Sequence, residues 1–286
     1  RRLTLNSGTK RKDVLSIKIV STVVSLALAL ALSAVDWEKL SALGYFVDRN
    51  VYFDILTIPF SRLQEIDLGS WYSYIFHEFL WQIIVGTAVS NGWELTFVFQ
   101  FISVFFLFVT FLLMFQLKAA SMIPFLVNPL IIDLAFSQYR LALALSILGS
   151  ALIVGQRNKW AWVLVLVVPL IHTASLIFIF FYLFSRWILI FDQKRAFRIL
   201  KPRALAALAG ALMAVLIGPL REAVLTTVGD RRAEYSELGS SLLYVSLWIA
   251  ILLVLCMQRK EVNNNPISLT TISILSLVAV GSVFGS

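Results

Sequence analysis

The sequence predicts an all-helical, polytopic integral membrane protein, and three observations carry that prediction. The mean hydropathy of the 286-residue chain is +0.87, and 59% of its residues are hydrophobic. Only 14% are charged, against about 25% in an average soluble domain, too few to cover a globule of this size with polar surface. The apolar residues gather in runs long enough to cross a bilayer as helices, without the two-residue alternation of a membrane β-barrel. A soluble enzyme and a disordered chain are excluded on the same grounds. The single cysteine, Cys256, excludes a disulfide framework and a cysteine-based metal centre.

The runs follow one another along the whole chain. The first spans about residues 14–35 and holds the aliphatic stretch Leu26 to Leu32. It is too long for a signal-peptide core, so no cleavable leader is expected. Runs at about 70–89 and 93–117 follow, the latter rich in Phe. The piece 122–136 is broken by Pro124 and Pro129. Further runs cover about 138–154, 160–184, 205–220, 238–257 and 267–284. The expectation is eight or nine membrane helices, some broken or re-entrant, in a single membrane domain over 1–286.

Charge orients these helices. Residues 1–13 carry five basic and one acidic side chain, and residues 186–203 six and one. The short segments 156–159 and 258–261 are also net basic. Residues 36–69 hold three basic and six acidic residues, and 221–237 three and four. Basic loops stay in the cytoplasm, so 36–69 and 221–237 are expected as external loops. Trp37, Tyr45, Tyr52, Trp71 and Tyr72 suit an interfacial aromatic belt. The sequence pI of about 9.7 thus reflects topology; no nucleic-acid motif is present and no nucleic-acid partner is expected. One conflict remains in this pattern. Both 156–159 and 186–203 read as cytoplasmic, yet one apolar run joins them. A break at Pro169 and the polar cluster His172, Thr173 and Ser175 would let the chain turn back, and broken helices at membrane depth line cavities or are buried. The alternative is a basic amphipathic helix at 186–203 lying on the outer face.

Ionisable residues inside spans cost roughly 3 kcal/mol each and mark function by default. Glu78, Asp133, Arg140 and His172 stand out; Lys18 can snorkel to the cytoplasmic face. Arg140 and His172 lie at comparable distances on either side of the turn at 156–159. At about 1.5 Å per residue, an antiparallel hairpin brings them to similar depth, toward the outer side. The planar fork of an arginine suits a phosphate or diphosphate, and a histidine can carry a proton. Competing readings are an Arg140 at the water interface, a His172 bonded to a carbonyl in the core, and Glu78 and Asp133 as structural partners of Arg140. No metal-ligand cluster is legible.

Several segments resemble, in order, the EpsG/Wzy-like polysaccharide polymerases. Asp133 to Ala144, containing Gln138, Tyr139 and Arg140, resembles the "R-x-x-[LA]-A" start of a key helix in that family. Pro169 to Ser175 resembles its "hydrophobic-H-x-x-S" stretch around His172. Asp48-Arg49-Asn50-Val51-Tyr52 resembles its external "D…Y" segment, and Glu78 to Trp81 the "E-P-L-[FYW]" opening of the next span, with Phe79 in place of Pro. Arg231, Arg232 and Tyr235 fit a late external loop.

The resemblance implies a metal-independent, cofactor-free membrane glycosyltransferase of GT-C-like fold. It would join undecaprenyl-diphosphate-linked oligosaccharide repeats into a surface polysaccharide, such as O-antigen or exopolysaccharide, at the outer face of a bacterial inner membrane, releasing undecaprenyl diphosphate. A separate chain-length co-polymerase is an implied partner. Arg140, His172 and Glu78 would be its catalytic residues. Arg140 would hold the diphosphate, helped by Arg231 or Arg232. His172 would deprotonate the acceptor or bond the leaving group, with Glu78 or Asp48 as rival bases. Substrate contacts would come from Asp48, Arg49, Tyr52, Gln138, Tyr139, Ser175 and Tyr235. Competing functions are another lipid-linked sugar transferase or ligase, a lipid-linked oligosaccharide flippase or transporter, and a non-catalytic membrane subunit; a transporter would be expected to show matched broken helices.

Overall fold

The computed structural model describes residues 7–40, 46, 49, 78–155, 158–193, 201–228, 242–257 and 265–284. Every regular element among them is helical. The chain forms two compact units, Arg1–Ser175 and Leu176–Ser286.

In the first unit, α1 covers Ser7–Ser33 and α2 is the single turn Trp37–Leu40. Then come α3 at Phe79–Ser90, α4 at Leu95–Gln116, a 3-10 helix at Ala120–Leu126 and α5 at Pro129–Phe136. Next are α6 at Tyr139–Val154, α7 at Lys159–Val167 and a 3-10 turn at Val168–Leu170. The punctuation is chemical. Gly92 at φ 71° ends α3, with its N–H on Val89 and the Trp93 N–H on Ala88. Lys118 does the same for α4 at φ 57°, bonding Phe115 while Ala119 reaches Met114. Both are left-handed helix stops. Asn128 and Asn158 cap α5 and α7 through their side-chain oxygens, and Pro129 occupies the first position of α5.

The core of this unit surrounds α4. Phe99, Ile102, Phe106, Leu107 and Phe111 are buried against Ala29 of α1 and against Ala142 and Ala144 of α6. Small residues let the helix backbones approach. A Cβ on Gly149 would lie 2.6 Å from Val109 and 3.1 Å from Leu113, late in α4. At the other end, Phe99 near the start of α4 stacks on Tyr139 at the start of α6, with centroids 4.3 Å apart. The two helices therefore run side by side in the same direction. Parallel neighbours need a connection that doubles back, and the proline-broken piece provides it. Its two short helices add to roughly 26 Å at about 2.0 and 1.5 Å per residue, most of the length of α4. The end of α1 (Ser33) meets the start of α4 (Thr96, Phe99) around one cavity. We call this the site end of the unit.

The second unit contains α8 at Ser175–Gln193, α9 at Pro202–Val228, α10 at Leu242–Met257 and α11 at Pro266–Phe284. The helix α9 continues past Leu220, where the hydropathy window ends, to Val228; the expected external loop from 221 thus begins as helix. Ser273 and Ser276 of α11 donate to the carbonyls of Ala206 and Ala207 at 2.9 and 2.7 Å. A Cβ on Gly210 would sit 2.1 Å from the Ser273 carbonyl oxygen. This close, small-residue contact is how helices pair where lipid replaces water.

Among the described residues, three helices, Ser16–Ser33, Leu95–Gln116 and Ser175–Asp192, are long and apolar enough to cross a membrane, and five shorter helices are also apolar. Large apolar side chains face outward, including Ile17, Val20 and Val23 on α1, Phe97 and Phe101 on α4, and Leu166 on α7. Such exposed apolar side chains suit hydrocarbon. The chain is a helical membrane protein.

Candidate functional site

Glu78 is the centre of the site. It precedes α3 in the left-handed conformation, φ 51° and ψ 50°. That conformation is a strained one for a residue other than Gly, Asn or Asp, at a cost of order 1 kcal/mol or more. Its carboxylate does not cap α3. Instead it points into the protein, where its side chain is 4% exposed.

Three elements supply its partners. Arg140, in the first turn of α6, donates from Nη1 to Glu78 Oε2. His172, just after the second 3-10 turn, places Nδ1 2.6 Å from Oε1. The Thr173 backbone N–H donates to the same oxygen at 3.2 Å. An isolated carboxylate at this depth would be strongly unfavourable; a guanidinium, an imidazole and an amide together offset its desolvation. An ionised carboxylate only accepts, so against that form of Glu78 the Nδ1–H is the donor of the pair. This is the arrangement by which a carboxylate fixes a histidine tautomer.

Exposure is graded across the cluster. The Arg140 side chain is 32% exposed and that of His172 13%. Arg140 is thus the member most open to a ligand, and Glu78 positions the other two. The expected convergence of Arg140 and His172 at one depth is present. It arises because α6 and α7 pack as a hairpin about Gly155, which ends α6 at φ 89°. The apolar run after residue 159 is interrupted as the proline implied: α7 stops at Val167, Val168–Leu170 tightens, and α8 starts afresh at Ser175.

The other predicted residues divide. Gln138 donates to Asp133 at 3.0 Å, so Asp133 is held by its own helix–helix corner. Ser175 is fully buried and its hydroxyl has no partner among the described residues. Tyr139 and Arg49 both line a cavity of about 320 Å³ at the site end. Asp48, Tyr52, Arg231, Arg232 and Tyr235 lie outside the described residues.

Sequence reasoning missed two parts of the site. The Thr173 amide carries no sequence signal, since any residue there would supply it. The cavity is lined by the rings of Trp37 and Phe136, with centroids 6.3 Å apart, and by Phe99 and Tyr139. Trp37 had the appearance of a belt residue and Phe99 of one more Phe in a greasy helix. The signal that could have found the cavity is the polar pair Asp36 and Gln100 beside those rings.

Comparison with known proteins gives no match to a family model, to a curated protein or to a solved structure.

Proposed function

We propose that the chain is a membrane glycosyltransferase that polymerises undecaprenyl-diphosphate-linked oligosaccharide repeats into a surface polysaccharide, such as O-antigen or exopolysaccharide. In this reading the apolar helices form eight or nine membrane segments with a GT-C-like arrangement, and the site end faces the exterior of a bacterial inner membrane. The observation that carries the reading is the convergence of Arg140 and His172 on the buried carboxylate of Glu78.

The chemistry needs little else. The donor sugar is already activated by its diphosphate, so the protein must stabilise charge developing on the leaving group and accept a proton from the acceptor hydroxyl. Arg140 offers a planar donor set to the diphosphate. The tautomer of His172 set by Glu78 leaves Nε2 to take the proton. Glu78 neutralises part of the Arg140 charge, so a second cation is required for a diphosphate. In this reading that role falls to Arg49, on the cavity lining, or to Arg231 or Arg232. A co-polymerase that sets chain length belongs to the same reading.

The test is a glycan gel from cells deleted for this gene and restored with wild-type or Arg140→Ala protein. Loss of the long-chain ladder with single repeats retained on their carrier, and rescue by wild type alone, supports polymerisation. Disappearance of single repeats from the outer face favours a flippase instead. An unchanged ladder in the deletion strain removes the polymerase reading.

A further inference from the structure

The cavity at the site end is chemically distinct from the Glu78 cluster. Its inner part is aromatic: Phe99 and Tyr139 are almost wholly buried, and Phe136 and Trp37 wall it. The Trp37 indole N–H is committed to the Leu32 carbonyl at 2.8 Å. The ring is therefore held in one orientation and offers its face rather than its donor. The polar groups are of mixed character. Asp36, whose carboxylate also holds Lys39 at 2.7 Å, accepts, Arg49 donates, and Gln100 does both. Ser33 is also in the lining, and its hydroxyl is buried and without a hydrogen-bond partner among the described residues.

This combination selects among ligand classes. A lipid chain gains nothing from a carboxylate, a guanidinium and an amide in the lining. A simple anion has no use for the rings. A sugar ring matches both halves: its C–H face packs on aromatic planes, and its hydroxyls donate and accept at once. The cavity also adjoins the ionic cluster. Tyr139 and Arg140 are consecutive in the first turn of α6, and consecutive helical residues project about 100° apart with about 1.5 Å of rise. The ring of Tyr139 lines the cavity while the guanidinium of Arg140 reaches Glu78.

We propose that this cavity is a saccharide-binding site. It seats a sugar ring of the glycan beside the phosphate group that Arg140 faces, and this placement rests on the polymerase reading above. The sugar lies against Trp37 and Phe136, with Gln100 and Asp36 bonding its hydroxyls.

The experiment uses the full chain in lipid nanodiscs. The probe is oligosaccharides released by mild acid from the surface glycan of the cells that make this protein. Saturation-transfer NMR reads contact with the sugar-ring protons. Wild-type protein transfers saturation to them, and Gln100→Ala and Trp37→Leu each weaken binding by about tenfold, the loss of one well-made contact. Gln100 is exposed on α4, so its variant decides the matter if Trp37→Leu does not fold. Absence of transfer to wild type, or equal binding by Gln100→Ala, overturns the proposal. The two readings separate through Arg140→Ala. If that variant still binds the sugars and still restores the glycan ladder, the saccharide site stands and the polymerase role of Arg140 fails. If the ladder is lost while wild type binds no sugar, the polymerase reading stands and the cavity proposal fails.

Discussion

Arg140 and His172 hold opposite oxygens of one carboxylate: the guanidinium bonds Oε2 of Glu78, and Nδ1 of His172 lies 2.6 Å from Oε1. The three residues come from the start of α3, the start of α6 and the turn after α7. Any one of them therefore reports on how those elements are docked, as well as on chemistry.

Removing the charge of Glu78 leaves Arg140 facing a neutral amide in a largely buried position. Glu78→Gln should lower the thermal midpoint of the purified protein, by a stability loss of about 3–5 kcal/mol for a broken buried pair. The double variant Glu78→Gln/Arg140→Gln should lose less than the sum of the two single changes. Additive losses in a double-mutant cycle would show that the pair is not energetically coupled.

Arg140→Lys preserves a positive charge but not the planar fork. Its thermal midpoint should stay nearer wild type than that of Arg140→Ala, while polymer yield falls by about tenfold or more. Full-length ladders from the Lys protein would mean that charge alone suffices at this position.

His172→Gln keeps a polar side chain next to Glu78 but removes the ring nitrogen that can take a proton. The expected result is a protein extracted in normal amount and with a near-normal melting profile, yet with chain growth reduced by about 10²-fold or more. A normal ladder from this variant would take His172 out of the chemistry and leave it a structural partner of Glu78.

The two helix-contact glycines should differ in tolerance. At Gly210 the obstacle to a Cβ is a backbone carbonyl 2.1 Å away, whereas at Gly149 it is the side chains of Val109 and Leu113. Side chains can shift; the carbonyl of a packed helix cannot without moving α11. Gly210→Ala should cost more than Gly149→Ala, with overpacking penalties of about 1–3 kcal/mol. Thermal unfolding of the two purified variants in the same detergent checks the order.

Much of this was legible in the sequence, and the limits are physical. Apolar runs located the helices because hydropathy acts locally. Pro124 and Pro129 marked a break in the apolar run, though not that the chain doubles back there, and Pro169 marked the end of α7, because proline acts on its own turn. The shared depth of Arg140 and His172 followed from counting along one hairpin. Glu78 was readable as an intramembrane acid but not as the hub, since its partners are 62 and 94 residues away along the chain. The cavity was illegible for a related reason. Aromatic residues on α1's exit, α4 and α5 look alike whether they face lipid or one another, and only the parallel packing of α4 and α6 decides which.

The left-handed backbone at Glu78 bears on what evolution can do with this position. Asparagine and aspartate tolerate that conformation best, but each is one methylene shorter and retracts its oxygen from the guanidinium and imidazole. Glycine relieves the backbone and removes the carboxylate altogether. Glutamine retains the length and surrenders the charge. The conservative replacements fail for different reasons, so drift at this position has no neutral first step, and a chain that lost Glu78 would have to rebuild the docking of three helix ends at once.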